Sequence, residues 1–255
     1  MLLALDIGNT NIIFGVFDDG SLKATWRVAT GVHRMPDEYA SLMLNFFDRQ
    51  GLAASQIRDA VLCSVVPPLV GVFEEVCRRY LKVSPLVVGA GVKTGVRICM
   101  DNPREVGADR IVNAVAAHQL YGRPVIVIDF GTATTFDVVS EEGDYLGGAI
   151  APGIAISTEA LFTRTAALPR VELTSPKQAI GRNTVAAMQS GIVFGYVGLI
   201  EGIVSRIQQE LASKAKVVAT GGYAGLLAQE TTVIETVNPD LTLIGLRLIH
   251  EMNKP

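Results

Sequence analysis

Runs of Leu, Ile, Val, Phe and Trp over residues 2–7, 12–17 and 22–29, broken by Gly8-Asn9-Thr10-Asn11 and Asp18-Asp19-Gly20-Ser21, predict three antiparallel strands. Pro36 begins a helical pattern to about Gln50, Asp59 to Val65 is a fourth strand, and Pro67-Pro68 open a helix to about Tyr80. Asn102 before Pro103 has the form of a cap, which predicts a helix over 103–121 that ends near Gly122. Strands at 125–129, 134–139 and 145–150 then form a second meander, followed by a helix over 154–162. The stretch 163–177 carries no period and reads as a surface loop. A long helix from Thr184 to about Leu211, a strand at 216–220, a Gly221-Gly222 turn and a last helix from Pro239 complete the pattern.

The second meander repeats the first. Leu5-Asp6-Ile7-Gly8-Asn9-Thr10-Asn11 returns as Ile128-Asp129-Phe130-Gly131-Thr132-Ala133-Thr134, displaced by 123 positions, and Asp18-Asp19-Gly20 returns as Glu141-Glu142-Gly143 at the same displacement. A shared register through two separate turns points to duplication. The expectation is an α/β protein of two similar lobes, residues 1–122 and 123–255, each offering an Asp and a Gly-flanked turn to a ligand held between them. A nucleoside triphosphate suits such a pair.

Composition narrows the choice. Apolar residues make up 49% of the 255 and charged residues 18%, and the net charge is −3. This balance speaks against a nucleic-acid binder, which carries a basic face. Cys63, Cys77 and Cys99 are odd in number and widely spaced, so neither a disulfide framework nor a zinc site is indicated, and a reducing cytoplasm fits. The first residues lack the basic start and apolar core of a secretory signal. Val185 to Val204 approaches the ~20 apolar residues of a membrane span, but Gln189, Ser190 and Glu201 interrupt it, so it reads as a buried helix with no membrane role. Gly191, Gly195, Gly198 and Gly202 give that helix a flat face, each at up to ~1 kcal/mol against alanine, which close packing must offset. Packing within the chain or a subunit contact would each do so.

Asp6 ends a buried strand before a turn bearing Gly8, Thr10 and Asn11. Glycine lets the main chain approach an anion, the N–H groups and the Thr and Asn side chains can donate to phosphate, and the carboxylate can hold the water shell of Mg²⁺. An ordinary β-turn uses the same residues, but the second copy favours the phosphate reading. Ala219-Thr220-Gly221-Gly222 ends a strand with bare backbone on which a ring or phosphate can lie. On the helix expected from Pro103, Glu105 and Asp109 are four apart and share a face, with Arg110 beside them. Spacing alone leaves open a proton-accepting carboxylate beside an anion clamp or a solvated charge pattern with Arg104 and Arg110. His33, His118 and His250 are scattered, and no Walker or Rossmann glycine motif is present.

Duplicated Asp-x-Gly hairpins with a late Gly-Gly turn resemble the actin, sugar kinase and Hsp70 superfamily. Within it, four blocks resemble type III pantothenate kinases: Asp6-Ile7-Gly8-Asn9-Thr10-Asn11, the ten-residue run from Asp101 to Arg110, Asp129-Phe130-Gly131-Thr132-Ala133-Thr134-Thr135, and Gly181-Arg182-Asn183-Thr184. The resemblance implies two ribonuclease H-like, actin-like ATPase lobes, each a mixed, five-stranded type of sheet flanked by helices. It implies a cytoplasmic homodimer in which ATP phosphorylates pantothenate, the first step of coenzyme A biosynthesis. By position, Asp6, Ile7, Gly8, Asn9, Thr10 and Asn11, with Thr132, Gly221 and Gly222, would hold ATP. Asp6 would hold Mg²⁺ through water, Asp129 a monovalent cation (K⁺ or NH₄⁺), and Asp109 would be the catalytic base. Met100, Gly107, Ala108, Asp109, Arg110 and Thr184 would face pantothenate; Met100 stands where the family commonly has an aromatic residue. A non-catalytic nucleotide-binding regulator and a phosphatase or acetate-type kinase of the same superfamily are the alternatives.

Overall fold

Each expected meander forms and begins a sheet of the same strand order. In the computed structural model, which describes residues 1–122, 124–211 and 213–254, β1 (Leu2–Ile7), β2 (Asn11–Asp18) and β3 (Ser21–Ala29) are antiparallel neighbours. After α1 (Pro36–Arg49), β4 (Asp59–Ser64) returns parallel to β1, with Asp6 opposite Cys63. Pro67 and Pro68 open α2 (Pro67–Val76), which continues as a wider π-type turn over Cys77–Leu81 before β5 (Leu86–Val87) joins β4. The sheet order is β3-β2-β1-β4-β5.

One face of this sheet is apolar. Leu3, Leu5, Ile7, Ile12, Phe14 and Val16 meet Tyr39, Met43 and Phe47 of α1 and Leu69 and Phe73 of α2 in a single buried cluster. Burying a side chain of this size contributes about 1.5–3 kcal/mol, so the cluster is what fixes the strands beneath the first hairpin.

The second sheet repeats the plan and adds a strand. β6 (Arg97–Ile98) is followed by α3 (Ala108–Tyr121), β7 (Val125–Phe130), β8 (Ala133–Val139), β9 (Asp144–Pro152), α4 (Ile154–Thr163), α5 (Thr184–Leu211), β10 (Lys216–Gly221), α6 (Ala224–Ala228), β11 (Thr236–Val237) and α7 (Leu241–Met252). Its order is β11-β10-β7-β8-β9-β6. Read from β9 to β11 it is the order of the first sheet, with β6 added beside β9. The correspondence extends to single bonds. Ile7 O accepts from Val65 N at 3.1 Å just beyond β4, and Phe130 O accepts from Gly222 N at 3.2 Å just beyond β10. Ile126, Ile128, Phe130 and Phe136 pack against Met188, Ile192, Val193, Tyr196 and Ile200 of α5. By length and composition α5 could cross a membrane, but its buried residues belong to this core.

Two compact units result. The first holds Met1–Gly95, Asn102–Ala116 and the chain from Leu241 onward; the second holds Val96–Asp101 and Ala117–Asp240. The last helix thus returns to the first unit. It packs on β1 and β4, with Leu243 filling the space above Gly15 and Gly245 lying against the Val112 backbone of α3.

One expectation is corrected by this fold. The helix expected over 103–121 is interrupted: Asn102 Oδ1 accepts from Arg104 N (3.3 Å), but it caps only a single 3₁₀ turn, Pro103–Glu105. Val106 is then extended, and α3 begins at Ala108. Glu105 and Asp109 therefore do not share a helix face. Of the two ways to cover the glycine face of α5, packing within the chain is not used at three positions: among the described residues a Cβ on Gly191, Gly195 or Gly198 would meet nothing within 4 Å, while one on Gly202 would meet Arg206.

Candidate active site

In the first unit the strand ends bring three of the sequence's polar candidates together. Asp6 stands one residue before the end of β1, and the break after Val106 lets α3 start with Asp109 in its first turn. Gly107 is required there, since a Cβ on it would fall 2.6 Å from Asp109 Oδ1. Arg110 N–H donates to Asp109 Oδ1 at 2.8 Å. From β4, the Cys63 thiol donates to Asp6 Oδ1 at 3.5 Å.

Two carboxylates in one partly dry place disfavour each other's charge. Burial, then the Asp109 carboxylate, push Asp6 up to about 7, while the Cys63 thiol and the Arg27 charge oppose the shift. Burial also raises Asp109, against the Arg110 amide and guanidinium. The Cys63 thiol is pushed well up by burial and by Asp6 and Asp109, so it remains a neutral donor. A pair of ionisable oxygens held at this cost fits a hard divalent cation such as Mg²⁺, which would restore the charged forms. Among the described residues no group of three or more His, Cys, Asp or Glu forms a metal cage of its own. Any such ion would therefore take further ligands from water or phosphate.

Beyond Asp6 the hairpin opens to solvent. Asn9, Thr10 and Asn11 are exposed, while Gly8 N–H closes the turn onto Asn11 O at 3.0 Å. Thr30, the residue after β3, braces the turn from the side: its amide donates to Thr10 O at 2.9 Å and its hydroxyl to Gly8 O at 2.6 Å.

The second unit contains the other hairpin. Asp129 holds the place of Asp6 one residue before the end of β7, and Gly131 N–H donates to Ala133 O at 3.0 Å. Here backbone is pressed on backbone. Gly221 has φ +91°, and a Cβ on it would lie 2.7 Å from Asp129 Oδ1 and from Phe130 N and C. Gly153, which follows β9, leaves no room for a Cβ against the carbonyls of Gly131 and Thr132. Gly222 by contrast stands in open space. Thr132 is half-buried in the turn beside Asp129.

Met100 also belongs to this unit. Cys99 N–H donates to Tyr145 O (2.8 Å), extending the pairing of β6 with β9, and Met100 lies over Gly147, whose missing Cβ would sit 2.6 Å from its sulfur. Gly147 has φ +104°, so a glycine serves both the backbone and the methionine. Thr184 is exposed at the start of α5, behind Asn183, whose Oδ1 accepts from Ala186 N at 2.9 Å.

The sequence pattern singled out neither Cys63 nor Thr30, Gly147 or Gly153. Cys63 carried a signal only through pairing: one residue before the end of β4, it stands opposite Asp6 of β1.

A family model described as type III pantothenate kinase matches residues 2–206. The chain belongs to the type III pantothenate kinase family. A type III pantothenate kinase of Dehalococcoides mccartyi strain CBDB1 is 56% identical over 253 residues, covering 99% of this chain and 96% of its own. Among solved structures, a protein described as a conserved Baf family transcriptional activator from Campylobacter jejuni superposes with a TM-score of 0.63 at 20% identity, covering 98% of each chain. One described as a 2-dehydro-3-deoxygalactonokinase from Sinorhizobium meliloti gives 0.61 at 12% identity over 100% of this chain and 97% of its own. These last two likenesses show the fold alone, the actin-like and sugar kinase architecture. In this chain Asp6, Gly107, Asp109 and Arg110 form one neighbourhood of the first unit, and Gly221 packs on Asp129 in the second.

Proposed function

We propose that this chain transfers the γ-phosphoryl group of ATP to the terminal hydroxyl of pantothenate, giving 4′-phosphopantothenate, the first step of coenzyme A biosynthesis. The observation that carries the reading is the approach of the Asp109 carboxylate to Asp6 beside an open, glycine-bearing hairpin, in a chain of this family.

Asp6 to Asn11 hold the ATP phosphates, with the exposed Asn9, Thr10 and Asn11 supplying donors. Thr132 and the bare backbone at Gly221 and Gly222 complete the nucleotide contacts. Asp109 accepts the proton of the pantothenate hydroxyl as its oxygen bonds to the γ-phosphorus; the bond to the β,γ-bridging oxygen breaks and its electron pair leaves with ADP. The raised affinity of Asp109 for a proton suits that task. The Arg110 guanidinium meets the pantothenate carboxylate, and Met100, Gly107, Ala108 and Thr184 line the acceptor. Asp6 would hold Mg²⁺ through water and Asp129 the monovalent cation, K⁺ or NH₄⁺; bound there, they would supply positive charge against the phosphates.

The working form is a cytoplasmic homodimer. On the second unit Ile150 and Ile180 are 65% and 80% exposed, and Gly191, Gly195 and Gly198 of α5 are bare; exposed apolar surface and an uncovered glycine face on one unit suit a second copy of the chain.

The test is ADP release from ATP, Mg²⁺ and K⁺ with and without pantothenate. Release that requires pantothenate supports the reading; release without it favours a phosphatase, and no release in either case favours a regulator.

A further inference from the structure

We propose that Thr30, outside the hairpin itself, positions the amide donors of the first phosphate turn and so governs nucleotide binding. The proposal rests on the kinase reading above and extends it to a residue with no assigned role.

In a planar trans peptide the C=O and N–H point in opposite directions, so fixing one aims the other. Thr30 engages two carbonyls of the turn at once: its hydroxyl donates to Gly8 O at 2.6 Å and its amide to Thr10 O at 2.9 Å. The Gly8 carbonyl shares its peptide plane with the Asn9 N–H, and the Thr10 carbonyl with the Asn11 N–H. Drawing both carbonyls toward Thr30 therefore turns both N–H groups away from it. Two oriented amides beside a glycine form the kind of concavity that receives a phosphate oxygen.

The brace has a fixed root. Gly31 N–H donates to the Tyr39 hydroxyl at 3.0 Å, and that hydroxyl donates to Gly31 O at 3.0 Å. Tyr39 is fully buried, its ring 4.7 Å from that of Phe73. Thr30 is thus held from the first core, and the turn is held by Thr30. The second unit offers a contrast: the residue after β9 is Gly153, which has no hydroxyl to give and presses its backbone on the equivalent turn.

Thr30→Val replaces the hydroxyl with a methyl group, and Thr30→Ser keeps the hydroxyl. Both are compared with the wild type by calorimetric titration with Mg²⁺ and the non-hydrolysable analogue AMP-PNP, by steady-state kinetics with ATP and pantothenate, and by thermal melting. Loss of a short hydrogen bond that orders a binding loop predicts about tenfold weaker AMP-PNP binding and a similar rise in KM for ATP in the valine variant. KM for pantothenate stays within about twofold and serine restores nucleotide affinity to within about threefold, because the bonds to the turn are what changed. Wild-type affinity in Thr30→Val, failure of serine to rescue, or an equal shift of both KM values together with a lowered melting point would overturn the proposal. If the wild type binds AMP-PNP but does not phosphorylate pantothenate, the acceptor assignment falls while the titration still reads Thr30. If it does not bind AMP-PNP, both fall.

Discussion

The two hairpins share a backbone and differ in what surrounds their carboxylate. Around Asp6 the neighbours are side chains: Asp109 near enough to raise it, Cys63 donating at 3.5 Å, Thr30 bracing the turn. At the second hairpin bare backbone is pressed close: a Cβ on Gly221 would collide with Asp129 and Phe130, and one on Gly153 with the carbonyls of Gly131 and Thr132. Duplication supplied one scaffold twice. The first copy sets two carboxylates against each other, which fits the proposed phosphoryl transfer, and the second presses glycine backbone against its turn.

If that contrast is right, the second hairpin breaks on added volume. Gly221→Ala places a Cβ 2.7 Å from Asp129 Oδ1 and from Phe130, at a φ of +91° that alanine adopts only with strain. Strain and overlap together are expected to cost about 3–5 kcal/mol. Denaturant melts would show this, and a loss under about 1 kcal/mol would mean the contact relaxes easily.

The first hairpin responds to charge instead. With Asp6 at about 7 when folded against an ordinary value of 3.8, the unfolded chain loses this proton first as pH rises, so the wild type loses stability between about pH 4 and 7 and no more above. Asp6→Asn lacks that loss. Its melting-point advantage in Mg²⁺-free buffer should therefore grow from pH 4 to 7 and level off, reaching about 2 kcal/mol after allowance for the part of Asp6 that solvent reaches. A difference that does not change with pH would remove the carboxylate conflict from the account.

Much of this architecture is legible in the amino-acid sequence. The two meanders, the register of their turns, α1, and α5 from Thr184 to Leu211 all follow from apolar runs with clear Pro, Gly and Asn boundaries. The interruption ahead of α3 is not. Asn102-Pro103 is a sound start signal, but the turn it starts stops at Glu105 and Val106 is extended, a break that no proline or capping signal in the sequence marks. The return of α7 to the first unit is equally hidden, since it depends on Leu243 finding the gap above Gly15 and Gly245 meeting Val112. At the site, Asp6 and Asp109 can be named from motif blocks. Cys63 and Thr30 cannot, because each acts through pairing between strands that the local pattern does not specify. The glycine face of α5 is visible as a pattern, but only the structure shows that nothing among the described residues covers Gly191, Gly195 and Gly198.

The most direct measurement is phosphorus NMR of the wild type and Asp109→Asn with ATP, Mg²⁺, K⁺ and pantothenate. The wild type should convert the γ-phosphate signal into a phosphomonoester resonance in step with ADP. Asp109→Asn should lose at least about a thousandfold in turnover while binding ATP nearly as the wild type does, as expected for a group engaged only in the transfer. Inorganic phosphate in place of the phosphomonoester, or an Asp109→Asn enzyme that keeps most of its turnover, would contradict the account.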